Sequence, residues 1–412
     1  VSSATGMRCC WRVRPLHELQ HGALNCPLVW GTLDMHSKDV APTLVSQLAP
    51  ADDLTQRLQG IHELIRSRYS FVDRVAIALY DPATDLLKTF VSSNTDQTPL
   101  KRYEMTLSSV PSLGALVHAH QSRVVGDIAE SFHTHSKHTS WLTGQGYHAS
   151  YTTPVFQGQE LAAFLFYDSK LPNVFESDVV HFLDTFSDLI SQLFLLQRRV
   201  VHGMVSTIQV AVGLARIRDL ETGQHLERMA HYSRLMGQLL AEKYGLTDEY
   251  IEYLFLFAPL HDIGKVGIPD SVLLKPGKLD DDQWVIMEHH VEIGEKIIEK
   301  ISHELDMQGD LANRVMHNIV ATHHERGDGS GYPRGLQMTA IPLEGRIVAV
   351  ADVYDALSNR RPYKEPWSEA AVQQELRDEA ARGRLDSDCI EALLGAHEAR
   401  MLIGQKFADM DP

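Results

Sequence analysis

The chain has 412 residues, of which 44% are apolar and 22% are charged, a composition typical of a soluble globular protein with room for two domains. Its net charge of -16 opposes binding to a nucleic-acid backbone and so disfavours a polymeric nucleotide partner. The apolar runs are far shorter than the roughly 20 residues of a membrane helix, and no apolar segment follows the first arginines as in a signal peptide. We therefore expect no membrane span.

Cysteine usage narrows the class of protein further. The four cysteines lie towards the two ends of the chain, at Cys9, Cys10, Cys26 and Cys389. Because none lies between residues 27 and 388, the main part of the sequence has no cysteines for a disulfide framework or a thiolate metal cluster. This pattern predicts a protein of the reducing cytoplasm.

The first half of the chain predicts a mixture of helices and strands. Residues 1–34 show no clear periodicity, Met35 begins a more regular stretch, and we expect residues 1–44 to be poorly ordered. A helix is predicted over 53–67, where leucines and isoleucines recur on one face. Apolar and β-branched runs then predict strands, with a hairpin turn at Gln157-Gly158. The predicted strands cover 74–80, 87–92, 124–128, 149–156 and 160–168.

This order of elements resembles that of a GAF sensory domain over residues 45–195. The resemblance implies an α+β fold, which in this family either binds a small ligand or serves as a dimerisation module. Both alternatives stay open. A predicted helix over about 180–220 connects this region to the rest of the chain. We expect a homodimer formed through the first region and this helix.

The second half, from residue 196 to 412, is almost entirely helical and carries five groups of potential metal ligands. All of their side chains are imidazoles or carboxylates, the donors that suit iron, manganese, zinc or nickel. The groups are Glu221 with His225, His261-Asp262, His290, His323-His324 and Asp352.

Each group taken alone has an ordinary explanation, but their combination does not. Glu221 and His225 are four residues apart and so share one helix face, as many surface pairs do. By contrast, His261-Asp262 ends an apolar run, and burying such groups costs free energy unless a partner or a cation compensates. Here several apolar helices each place a histidine or aspartate at the point where the bundle converges. This combination predicts a metal centre.

The same residues lie in an ordered series of motifs that resembles the HD-GYP phosphodiesterase family over about residues 203–395. The HD segment is His261–Asp270, and the GYP segment is His323–Pro333. Further matching segments are Leu274–Leu279, His290–Gly294, Ile341–Leu343, Ala351–Leu357 and Arg361–Lys364. The series departs from the family pattern at Leu385-Asp386-Ser387, where Phe-Asp-Pro is common.

The resemblance implies an all-α bundle that hydrolyses cyclic di-GMP to the linear dinucleotide, and whether hydrolysis continues to GMP stays open. It implies two or three divalent ions, with iron favoured over manganese, nickel or zinc, and Asp262 bridging two of them. The implied ligands are Glu221, which is associated with a third metal, His225, His261, Asp262, His290, His323, His324 and Asp352.

The resemblance also implies contacts with the substrate and with partners. Lys265, Arg361 and Lys364 would hold substrate phosphates, and Lys265 would act in catalysis together with His261 and Asp262. Tyr332 would line the site within the GYP loop, which in this family is also linked to contacts with diguanylate cyclases.

Three other functions compete with this hypothesis. A hydrolase of dNTPs or guanosine tetraphosphate would explain His261-Asp262 but not the GYP loop or His323-His324. An inactive receptor for the dinucleotide would be expected to have lost ligands, and the set here is complete. A di-iron oxygenase would share the helical scaffold, whereas Lys265, Arg361 and Lys364 favour a phosphate substrate. Preference for cyclic GMP-AMP over cyclic di-GMP stays open.

Overall fold

The computed structural model describes residues 53–95, 100–132, 137–216, 223–307, 309–359 and 366–409. The predicted N-terminal segment 1–44 therefore lies outside the described residues, as do Glu221, Arg361 and Lys364.

The first region is a six-stranded antiparallel sheet in the order β3-β2-β1-β6-β5-β4, with helices on both faces. Its elements are α1 Leu54–Arg68, β1 Arg74–Asp81, β2 Leu86–Asn94, β3 Glu104–Thr106, a 3-10 turn Leu107–Ser109, α2 Pro111–Ala119, β4 Arg123–Val125, α3 Ile128–Ser131, α4 Lys137–Gly144, β5 Ala149–Gln157 and β6 Glu160–Ser169.

Local sequence signals explain most of these elements. Helix α1 begins after Asp53, whose carboxylate accepts from the Gln56 amide at 2.7 Å in a capping box. The predicted strand over 124–128 is wrong in its bounds, because β4 ends at Val125 and Ile128 already begins α3. Asp127 accounts for the change, since its side chain caps α3 by accepting from two backbone amides.

The sheet separates two apolar layers because alternate side chains of a strand point to opposite faces. One face packs on α1 and on the long helix α5, Ser177–Arg216, and forms the main core of this region. The other face packs on α2 through a smaller cluster that includes Leu87, Leu113 and Phe166.

Helix α5 has 40 residues and contributes to the cores of both regions. Leu183 and Phe194 are buried in the first core, and Met204 and Ile208 are buried in the second. By length and composition its stretch Ser177–Val210 is apolar enough to cross a membrane. About a third of the most apolar window, 33%, is buried, and these buried side chains belong to the cores of the two regions.

The second region is a helical bundle around one large apolar cluster. Its elements are α6 Gly223–Tyr244, α7 Asp248–Phe257, a 3-10 turn Ala258–Leu260, a second 3-10 turn Ile263–Gly267, α8 Asp270–Leu273, α9 Asp281–Glu288, α10 His290–Glu304, α11 Leu311–Thr322, a 3-10 turn Met338–Ala340, α12 Leu343–Ser358, α13 Glu369–Ala381, α14 Ser387–Gly395 and α15 His397–Lys406. An α+β region followed by an all-α region confirms the predicted fold class.

The segment that departs from the family pattern is well packed. Leu385 is buried in the bundle core, and the Asp386 carboxylate caps α14 by accepting from the amides of Asp388 and Cys389. Arg346 also donates to Asp386 at 2.7 Å. The change from Phe and Pro therefore leaves no defect in the packing at this position.

Candidate metal centre

The His261-Asp262 pair is delivered by the buried helix α7 and the short turn that follows it. Gly264 lies in the next turn, where an added Cβ would approach the His290 carbonyl oxygen to 1.7 Å. Only glycine lets this turn pack directly on the first residues of α10. The close approach brings His290, at the start of α10, beside the HD pair.

The structure brings seven of the eight predicted ligands together in two adjoining groups. In each group the potential donor atoms lie within 4.8 Å of one another. The first group consists of Asp262, His290, His323 and His324, and the second consists of His225, His261 and Asp352. The eighth predicted ligand, Glu221, lies outside the described residues.

Asp262 joins the two groups because its oxygens face different histidines. Its Oδ1 lies 3.1 Å from His290 Nε2 and 3.6 Å from His323 Nε2. Its Oδ2 lies 3.2 Å from His261 Nε2 and 2.7 Å from the Lys265 ammonium. A carboxylate placed in this way has one oxygen available to each of two cations.

The second nitrogens of the histidine rings determine which atom faces the centre. His261 Nδ1 lies 2.9 Å from the Ala258 carbonyl, and His290 Nδ1 lies 2.8 Å from the Met287 carbonyl. His323 Nδ1 likewise contacts two backbone carbonyls. Because a carbonyl only accepts, each Nδ1 carries the proton, and Nε2 presents a lone pair to the centre. Metal coordination through Nε2 requires this tautomer.

His225 is oriented by a carboxylate that the sequence interpretation did not assign. Its Nδ1 lies 2.7 Å from Asp355 Oδ2, and the buried Arg228 donates to both oxygens of Asp355 at 2.6 and 3.0 Å. The available signal was spacing, since Asp355 follows Asp352 by three residues just as Arg228 follows His225.

The electrostatic environment favours the metal-binding protonation states. Burial raises the pKa of Asp262, but Lys265 and His261 outweigh burial and hold that pKa well below its usual range. Burial lowers the pKa of His323 and lowers that of His324 strongly. The carboxylate is therefore ionised and these two imidazoles are neutral, as coordination requires.

The GYP loop follows His324 and lies against the same centre. The Tyr332 ring stacks on the His324 ring with 4.7 Å between centroids. A Cβ on Gly331 would come within 2.2 Å of the Arg326 amide, so the loop folds back on itself only with glycine there. Glu325 is buried and accepts from the backbone amides of Arg334 and Leu336, which fixes the loop at its base.

Of the predicted phosphate-binding residues, Lys265 is the one that the structure describes. Its ammonium is partly accessible, with 20% of the side chain exposed, and contacts Asp262. Arg361 and Lys364 fall in a segment outside the described ranges, so their roles stay predictions.

The donor set fits divalent transition metals. Imidazole nitrogens and carboxylate oxygens without thiolates suit iron, manganese, zinc and nickel, and each group supplies at least three donors. The sheet region and the helical region with these two donor groups therefore define a two-region protein that carries a candidate metal centre.

Comparisons with known proteins agree with this class. Residues 53–194 match the GAF domain family, and residues 214–389 match the HD domain family, a metal-dependent hydrolase domain. The chain thus contains a GAF domain followed by an HD domain.

Similar proteins of known name assign the HD region to a narrower family. The cyclic di-GMP phosphodiesterase response regulator RpfG of Xanthomonas campestris is 47% identical over 190 residues, which are 46% of this chain and 47% of that protein. A 3'3'-cGAMP-specific phosphodiesterase 2 of Vibrio cholerae is 46% identical over 178 residues, 43% of this chain and 32% of that protein.

A third relative, a cyclic di-GMP phosphodiesterase of Vibrio cholerae, is 44% identical over 200 residues, 48% of this chain and 40% of that protein. The chain thus spans less than half the length of each of these relatives. These similarities confirm the resemblance of the region to HD-GYP phosphodiesterases.

Proposed function

We propose that the helical region hydrolyses cyclic di-GMP to the linear dinucleotide and then to GMP, under the control of the GAF region. The observation that carries this proposal is the pair of donor groups joined by Asp262, whose two oxygens face different histidines. Phosphodiester hydrolysis commonly uses two cations held close together. The relatives named as cyclic di-GMP phosphodiesterases support the choice of substrate.

In this proposal, His290, His323 and His324 with Asp262 hold one cation, and His225, His261 and Asp352 with Asp262 hold a second. Glu221 contributes to a third, and iron is the favoured metal. Divalent ions held there would neutralise phosphate charge and activate water for attack.

The chain's own residues then bind and orient the substrate. Lys265 donates to a non-bridging phosphate oxygen from its position beside Asp262, and its flexible stem lets the ammonium shift between the two. Arg361 and Lys364 hold phosphate oxygens, and Tyr332, fixed by its stacking on His324, forms a wall against which the dinucleotide rests.

A second substrate should be tested alongside the first because several relatives are named as 3'3'-cGAMP-specific phosphodiesterases. Cyclic GMP-AMP carries the same phosphodiester linkages to the centre and differs from cyclic di-GMP in one base. The metal ligands therefore serve both substrates, and contacts to the bases decide between them.

The deciding experiment offers iron-loaded full-length protein cyclic di-GMP and 3'3'-cGAMP separately and follows the products by chromatography. We expect linear dinucleotide followed by mononucleotide. An Asp262→Ala variant should lose bound iron and turnover together, whereas Asp282→Ala, an exposed aspartate of α9, should keep both. Turnover that persists in Asp262→Ala, or no turnover of either substrate by the wild-type protein, would contradict the proposal.

The expected partners follow from exposed parts of the fold. Leu196 and Val210 of α5 are 61% and 63% exposed, and residues 14 apart share one helix face, which supports homodimerisation along α5. Sedimentation of a Leu196→Glu variant tests this dimer.

We also propose that the GYP loop contacts diguanylate cyclases. We further propose that the protein is cytoplasmic. Ser330 and Gly331 lie at least partly exposed in the loop. Cys389 is a buried free thiol, which is consistent with a reducing compartment.

A further inference from the structure

Four histidines of the candidate metal centre are oriented in two different ways. His261, His290 and His323 contact backbone carbonyls that lie only three or four residues earlier in the chain. His225 instead contacts the side chain of Asp355, which lies 130 residues later. The position of His225 therefore depends on how distant segments pack against one another.

Arg228 connects Asp355 to a third segment of the chain. Its Nε and Nη2 donate to the two oxygens of Asp355 at 2.6 and 3.0 Å. Its Nη1 donates to the Phe407 carbonyl at 2.8 Å and lies 3.2 Å from Asp409 Oδ2. A guanidinium is planar and rigid, so the position of Nη1 determines where Nε and Nη2 point. The segment 407–409 thus fixes the fork that holds Asp355.

The ring of Phe407 anchors this segment on helix α6. It stacks on the His231 ring with 4.7 Å between the centroids and 23° between the ring planes. His231 follows Arg228 by three residues, and His225 precedes Arg228 by three residues. Residues spaced in this way lie on one face of a helix. The same face of α6 therefore carries a candidate ligand, the arginine and the ring on which the segment 407–409 rests.

Helix α15, which leads into this segment, is tied to the helix that carries Asp352. Arg400 of α15 is fully buried and donates to the Tyr354 hydroxyl at 3.0 Å. Tyr354 follows Asp352 by two residues on α12, and its ring packs edge-on against Tyr232 of α6. Helix α15 and the segment 407–409 thus contact both helices that supply His225 and Asp352.

The first donor group is held by other elements. His290 begins α10, and His323 and His324 follow the end of α11. The two groups share Asp262, but the carbonyls that orient His290 and His323 belong to the residues just before them. A displacement of the segment 407–409 should therefore move His225 and leave these rings where their own helices place them.

We propose that the segment 407–409 is a positioning element, which holds His225 in place through Arg228 and Asp355. It thereby raises the affinity of the second donor group for its cation and leaves the affinity of the first group unchanged. The binding of two cations is part of the proposed function, on which this inference rests. Loss of an outer-shell partner costs about 10- to 100-fold in metal affinity, and this segment acts one contact further out, so we expect about 10-fold.

The test measures each cation site by itself with manganese(II), because electron paramagnetic resonance counts the free ions directly. His324→Ala removes a ligand of the first group and leaves the second to be titrated, and His225→Ala does the reverse. Phe407→Ala and Asp409→Ala are then introduced together into each background. The dissociation constant should rise about 10-fold in the His324→Ala background and stay unchanged in the His225→Ala background.

The other outcomes of this titration would overturn the inference. Equal rises in both backgrounds would show a general loosening of the bundle, and no rise in either would show that the segment does not position His225. Binding of fewer than two ions by the wild-type protein would overturn the candidate metal centre as well.

Matched substitutions separate positioning from loss of structure. Phe407→Tyr keeps a ring against His231 and should retain the wild-type affinity. Leu402→Ala shortens a side chain of α15 that is 64% exposed and should also retain it. If the double variant lowers the thermal midpoint, Asp409→Ala alone serves, because this carboxylate is 26% exposed and the ring of Phe407 stays in place. It should raise the dissociation constant in the His324→Ala background only.

Turnover of cyclic di-GMP by the full-length protein gives a second readout. Because only the metal affinity changes, the double variant should have a lower kcat at limiting metal, regain the wild-type kcat at saturating metal, and keep its KM. A deficit that persists at saturating metal would overturn the positioning role. If the wild-type protein turned over no substrate, the phosphodiesterase proposal would fail, while the manganese titrations would still decide the role of the segment 407–409.

Discussion

The candidate metal centre is a polar site within apolar surroundings, whereas the cavity of about 250 Å³ lined by Ala76, Ala78 and Phe166 in the GAF region has mostly apolar walls. The two sites are also assembled from different kinds of elements. The metal centre collects most of its side chains from the ends of helices and the turns beside them, and a carbonyl or carboxylate orients four of its five histidine rings: His225, His261, His290 and His323. The cavity is formed by small residues on neighbouring strands and is completed by another region. A site at the ends of helices can be found in the sequence from compact motifs. A cavity lined by strands corresponds only to alanines scattered along the sequence.

Loss of a shared ligand should have the largest effect. Asp262→Ala removes donors from both groups at once, so iron affinity and turnover should fall by more than the roughly 10- to 100-fold that losing an outer-shell partner costs. Metal analysis and product chromatography measure both quantities. By contrast, Ala78→Leu, which changes the cavity, should still bind iron. Loss of iron in this variant would show that the two sites are not independent.

Loss of Asp355, the carboxylate that orients His225, should have the second-largest effect. Asp355→Ala leaves His225 without its hydrogen-bond acceptor and leaves the buried Arg228 with only Asp409 as a carboxylate partner among the described residues. Metal affinity should fall about 10- to 100-fold. The free energy of unfolding should fall by at most about 3–5 kcal/mol, as measured by urea titration, because Asp409 still pairs with Arg228. Asp355→Asn keeps one acceptor and should lose less, and equal losses would argue against the hydrogen-bond explanation.

The close contact at Gly264 should make glycine essential there. Gly264→Ala places a methyl group against the His290 carbonyl and should destabilise the protein by about 1–3 kcal/mol or more. Gly404→Ala in α15 is the matched control, since its Cβ would find only an ordinary contact at 3.5 Å. In that helix alanine should stabilise by about 0.5–1 kcal/mol. Urea titration of both variants measures the difference, and equal effects would contradict the packing argument.

The free energy of unfolding should depend on pH through Glu249, which lies where the two regions meet. Burial raises the pKa of this carboxyl to about 6, with further help from Asp53. Because the folded-state pKa lies above the unfolded value near 4.5, the folded protein binds the proton more tightly, and stability falls as pH rises from about 4.5 to about 6. The difference corresponds to about 2 kcal/mol, as an order of magnitude.

Glu249→Gln mimics the protonated carboxyl and preserves contacts to Thr55 and Tyr253. This variant should therefore be more stable than wild type by up to about 2 kcal/mol at pH 8, and the gain should shrink towards pH 4. Unfolding titrations across pH measure it. Glu299→Gln, an exposed position in α10, should show no such pH-dependent gain. A constant gain for Glu249→Gln at every pH would contradict the titration argument.

Much of the candidate metal centre, as a cluster of neighbouring donor groups, could be predicted from the sequence because its motifs are local. His261-Asp262 and His323-His324 are adjacent pairs that follow apolar helices, and burial of such groups points to a cation. Asp355 was missed because its role depends on a contact with His225, which lies 130 residues earlier in the chain. Spacing indicated that Asp355 shares a helix face with Asp352, but not what that face contacts.

The sequence by itself determined the order of the two regions, the first helix and most strands of the first region, and the residue types of the candidate metal centre. Apolar periodicity, caps and short motifs act between residues close in the chain, so these features can be predicted from short segments of the sequence. Tertiary structure alone decided that Asp262 faces both donor groups and that Asp355 orients His225. These features depend on how distant segments pack, and packing places groups within hydrogen-bonding distance that no local pattern relates.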